Sequence, residues 1–101
     1  MIKASANVTP KAVFIICACV NVAEALNLDI HITAVMNGKH MVGSKHYIGN
    51  AIDLRSKNFP TLEAKQDFLK KVLARLGPGY EGFLEDGKQL NEHFHFEWDP
   101  K

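Results

Sequence analysis

The chain's densest chemistry sits near its end, in His93-Phe94-His95-Phe96-Glu97-Trp98, where polar and aromatic residues alternate at period two. An extended strand sends such residues to opposite faces. Phe94, Phe96 and Trp98 then make an apolar face, while His93, His95 and Glu97 stand side by side on the other. Taken alone, that polar face reads equally as a solvated strand with incidental histidines. A second constellation changes the balance: Ser44-Lys-His46-Tyr-Ile-Gly49-Asn-Ala51-Ile-Asp53. If Ile52 and Leu54 face a core, Ala51 and Asp53 face away from it, and the small Ala51 leaves room beside the carboxylate. Asp53 has an ordinary alternative, an ion pair with a cation such as Arg55. Two histidines and an aspartate nevertheless supply borderline nitrogen and oxygen donors in the number a catalytic zinc requires, leaving a fourth position for water.

The elements that must position these groups are legible in outline. Thr9-Pro10 is a helix start, a capping hydroxyl before a proline suited to the first turn. A helix is expected from Pro10 to about Leu28, mostly apolar, with Asn21, Glu24 and Asn27 as its polar edge. The run Ala12 to Val20, with Ala23-Glu24-Ala25 after it, also resembles a secretory signal, but Asn21 and Glu24 interrupt it and favour a buried structural helix. Ile30 to Val35 reads as a strand, Asn37-Gly38 as a turn, and the stretch to Lys45 as a loop with Gly43 and Ser44. A second strand follows over Asn50 to Arg55. Thr61 caps a second helix whose apolar positions Leu62, Phe68, Leu69, Val72, Leu73 and Leu76 recur at helical spacing, and Gly77-Pro78-Gly79 ends it. Strands over Gly82–Glu85 and Glu92–Trp98, joined through Asp86-Gly87, complete the order α-β-β-α-β-β. The expected class is α+β, a small antiparallel sheet with two packed helices, in a single domain spanning 1–101.

Composition narrows the functions. The 101 residues are 47% hydrophobic and 23% charged with a formal net charge of +1, so disorder and an electrostatic footprint for nucleic acid are both unexpected. The apolar run is too short for a membrane span. Cys17 and Cys19 lie two apart in a helix, where their side chains diverge, and read as buried inert thiols rather than a disulfide or a zinc knuckle. His31 reads as a strand residue, His40 as the rim of the site, and Tyr47 and Tyr80 as residues able to contact a substrate.

The two constellations together resemble a known family. Ser44-x-His46-x-x-Gly49-x-Ala51-x-Asp53, followed by Glu92-x-x-His95-Phe96-Glu97, is similar to the zinc D-alanyl-D-alanine carboxypeptidases. Phage endolysins that cut peptidoglycan stem peptides belong to that group, and it shares its fold with the Hedgehog signalling domain. The similarity runs from about His31 to Pro100. It implies a Hedgehog/DD-peptidase-like fold, His46, Asp53 and His95 as ligands of a Zn2+ cofactor, Glu92 as general base, and Ser44 and Arg55 as substrate-binding residues. Strand parity opposes one of these roles, because three residues of separation place Glu92 and His95 on opposite faces unless the chain bends. In a strand already regular at Glu92, His93 is the better-placed base.

The implied chemistry is hydrolysis of a peptide bond by metal-activated water, which needs no serine or cysteine nucleophile. The expected substrate is a peptidoglycan stem peptide or its precursor, with carboxypeptidase and endopeptidase action both open; Arg55 and Lys45 are candidate partners for a terminal carboxylate. The expected context is a monomeric phage or minimal bacterial enzyme, made in the cytoplasm and acting at the cell wall after release. The alternative is a non-catalytic zinc-stabilised binding domain or virion structural domain of the same fold.

Overall fold

A computed structural model describes residues 9–36, 50–85 and 92–99. The element order is α1 (Pro10–Ala25), β1 (Ile32–Met36), β2 (Ala51–Arg55), α2 (Leu62–Leu76), β3 (Tyr80–Glu85) and β4 (His93–Trp98). The four strands form one antiparallel sheet in the order β1-β2-β4-β3. The expected α+β architecture, a small antiparallel sheet with two packed helices, is what these residues build.

Local chemistry explains the element ends. The Thr9 hydroxyl accepts a hydrogen bond from the Ala12 N–H at 3.1 Å, with Pro10 in the first turn of α1. Helix α1 stops earlier than the sequence suggested, at Ala25, because Asn27 turns to φ 58° in the left-handed region. The Thr61 hydroxyl likewise accepts from Ala64 N–H at 3.0 Å, and α2 closes with Gly77 N–H donating to Leu73 C=O at 3.0 Å. Beyond it, Gly79 takes φ +90° with the Trp98 ring packed against its backbone, a position no larger residue could occupy.

Both helices lie on one side of the sheet. Their buried residues Ala12, Ile15, Cys19, Val22, Phe68 and Val72 share a core with Ile52, Leu54, Phe94 and Phe96. Phe68 is the hub: its ring meets Phe59 and Phe94 at 5.1 Å and Phe96 at 6.4 Å, in tilted or edge-to-face geometry. Gly82 in β3 lets the Phe96 ring approach; a Cβ there would stand 2.5 Å from Cδ1 of that ring.

With the even-numbered residues of β2 and β4 committed to the core, the odd-numbered ones face the other way. Cross-strand pairing sets them in rows: Ala51, Glu97 and Glu81; Asp53, His95 and Phe83; Arg55, His93 and Glu85.

Cys17 corrects one expectation. Cys19 is buried as predicted, whereas Cys17 is exposed, because residues two apart on a helix cannot both face the core. Burial pushes the Cys19 thiol up to about 12. Among the described residues, no helix is long and apolar enough to cross a membrane.

Candidate metal centre on the polar face of the sheet

The alternation of β4 puts His93, His95 and Glu97 on the face away from the helices, and the β2–β4 register places Asp53 directly across from His95. His95 is held from both sides. Its Nδ1 lies 2.7 Å from Asp53 Oδ1 and its Nε2 lies 2.7 Å from Glu97 Oε1. His95 is only 2% exposed and Glu97 6%. Burial pulls the His95 pKa down, but the hydrogen bonds and charges of Asp53 and Glu97 outweigh it and hold the group above the ordinary histidine value.

An imidazole between two ionised carboxylates has a simple requirement. Carboxylates only accept hydrogen bonds, and neutral histidine has one N–H to donate. One ring nitrogen therefore faces a carboxylate without a proton unless the ring is an imidazolium or a cation takes the proton's place. Asp53 and His95 together offer an oxygen and a nitrogen donor to that cation, chemistry that suits zinc.

His93 flanks the pair. Its Nε2 is 3.8 Å from Asp53 Oδ2 and 3.3 Å from Glu85 Oε1, and its side chain is more open than that of Asp53. Phe83 lies over the third strand beside His95, the ring centroids 5.1 Å apart at 30°. Phe83 is 41% exposed. Arg55 is exposed at the end of the His93 row. Glu81, Glu97 and Asp99 also bring three carboxylates within 4.8 Å of one another, a grouping common among acidic residues without any ion.

Glu92 is not brought to this group. It precedes β4, and its carboxylate accepts hydrogen bonds from Lys65 Nζ of α2 at 2.5 Å and from the Ser56 hydroxyl at 2.7 Å. Lys65 belongs to the helix side of the sheet, so parity prevails and no bend rotates Glu92 toward His95. Those two hydrogen bonds, Lys65 first, lower the Glu92 pKa against a small opposing effect of burial. Of the two candidate bases, His93 is the one beside Asp53. His46 and Ser44 lie outside the described residues, as do His40, Lys45 and Tyr47. His31 is exposed, and its carbonyl accepts from Arg55 N–H at 2.9 Å. Tyr80 packs on Trp98 at 4.7 Å and on Phe14 at 5.6 Å, as part of the fold.

Sequence reasoning missed Glu85 and Phe83. The alternation Glu81-Gly82-Phe83-Leu84-Glu85 was the available signal, since Leu84 in the core sends its odd-numbered neighbours to the site face. Compared with known proteins, the chain matches no family model, no curated protein and no solved structure.

Proposed function

We propose that this protein is a zinc-dependent peptidase acting on peptidoglycan stem peptides, with the Hedgehog/DD-peptidase-like fold that its sequence pattern implies. One observation carries the reading: Asp53 and His95, far apart in sequence, meet at 2.7 Å on adjacent strands, bringing together an oxygen and a nitrogen donor that a cation could share. Asp53 and His95 would hold the zinc, with His46 as the third ligand from the sequence pattern. Bound zinc would supply Lewis acidity, lowering the pKa of water and polarising the scissile carbonyl.

The chain's own groups do the rest. His93 takes a proton at Nε2, from the attacking water, and returns it to the leaving amine. Glu85 at 3.3 Å and Asp53 at 3.8 Å stabilise the imidazolium between those two steps. Arg55, one row along on β2, offers a cation to a substrate carboxylate, and Phe83 offers an apolar surface beside the reacting bond. Glu92 serves instead as a structural anchor between β4 and α2.

The test is incubation of the zinc-loaded protein with purified muropeptides, identifying released fragments by mass. The reading predicts cleavage at one stem-peptide bond, abolished in Asp53→Asn and reduced about 10²–10⁴-fold in His93→Ala. Zinc bound at unit stoichiometry with no cleavage of any stem peptide would instead support the non-catalytic binding domain.

A further inference from the structure

Glu97 has no part in the chemistry above, yet it is among the most buried charged residues described, at 6% exposure. A buried carboxylate is costly unless it is paired. Its partner is His95 Nε2, at 2.7 Å. The two carboxylates that grip His95 are not equivalent. The Asp53 side chain is 15% exposed and Glu97's is 8%, and Asp53 also faces the more open His93. The Asp53 side of the ring is thus the more open one, and Glu97 lies on the more buried side.

We propose that Glu97 is the positioning residue of this centre, fixing His95 with its proton on Nε2 so that Nδ1 is presented with Asp53 to the metal. The inference rests on the metal site proposed above. Carboxylates accept and do not donate, so a neutral ring has one N–H to share between Asp53 and Glu97; a metal taken up beside Asp53 would occupy Nδ1 and leave the proton on Nε2, where Glu97 accepts it. Ala51 stands opposite Glu97 on β2, too small to compete for the imidazole. An outer carboxylate of this kind orients a ligating histidine and raises its basicity.

Glu97→Gln separates positioning from bulk. Glutamine keeps the volume but can donate as well as accept, so the opposite tautomer, with Nδ1–H directed at Asp53, becomes available. Zinc affinity is measured by competition with a chromophoric chelator, beside circular dichroism and the melting curve of the metal-free proteins. The expected result is zinc binding weakened about 10- to 100-fold in Glu97→Gln, with the fold retained. Nitrogen-15 spectra of the zinc-loaded unaltered protein should show His95 protonated at Nε2 and ligated through Nδ1. Equal affinity in the two proteins, or ligation through Nε2, overturns the role of Glu97 while leaving the metal site standing. Failure of the unaltered protein to bind zinc overturns the metal site and this inference with it. Should Glu97→Gln not fold, the spectrum of the unaltered protein decides alone.

Discussion

His95 and Glu92 are the two residues whose surroundings decide most. Replacing His95 by alanine leaves Asp53 and Glu97 facing each other without the charge between them. The expected cost is about 3–5 kcal/mol at neutral pH, read from urea unfolding of metal-free protein. A stability within experimental error of the parent would contradict the buried triad. For Glu92 the expectation is the reverse of a catalytic role: Glu92→Gln should retain the zinc affinity and the cleavage rate within a few-fold, because its carboxylate is turned to Lys65 and Ser56. Lys65→Met should cost about 1 kcal/mol at neutral pH. Since the folded-state pKa of Glu92 is lowered, this stabilisation is present above the unfolded glutamate pKa and is lost as pH falls through the folded one. The penalty of Lys65→Met should thus shrink on acidification; a penalty that grows would contradict the pairing. Strand parity already hinted at this in the sequence, whereas the lysine that captures Glu92 lies on α2, where no local pattern announces it.

At the scale of elements, what repeats at a fixed period was readable and what depends on pairing was not. The caps at Thr9 and Thr61 and the alternation in β4 are local, and the structure places them as expected. The neighbour relation that brings Asp53 to His95 crosses a helix and a third strand, so no local pattern announces it; the sequence pattern could suggest it only through resemblance. Glu85 and Phe83 do alternate locally in β3, but only the pairing of β3 with β4 brings them beside His95 and His93. In β1, which starts at Ile32 inside the apolar run that predicted it, the pairing with β2 shifts register between Ile32 and Ala34, which no local pattern announces. Two expectations follow. Phe68→Ala, which removes the ring bracing β4 against α2, should cost about 3–5 kcal/mol, measured by denaturant midpoint. On α1, Cys17 should react with a thiol reagent in the native protein and Cys19 only after denaturation, because Cys19 is buried and its pKa raised to about 12. Equal native rates for the two thiols would show α1 packed otherwise.

For the molecule as a whole, the division of labour is between two faces of one sheet. The helix side supplies cohesion through Phe68, Phe94, Phe96, Ile52 and Leu54, and the opposite side concentrates Asp53, His93, His95, Glu85 and Glu97. A 101-residue chain buries a modest core, so under the proposed function an ion bound across β2 and β4 would contribute to stability as well as to chemistry. The most direct measurement is therefore zinc binding by isothermal titration, paired with melting curves before and after chelation. The account predicts one zinc per chain, a lower melting temperature on its removal, and loss of both effects in Asp53→Asn. A chain that takes up no zinc, or takes it up unchanged when Asp53 or His95 is replaced, would contradict it.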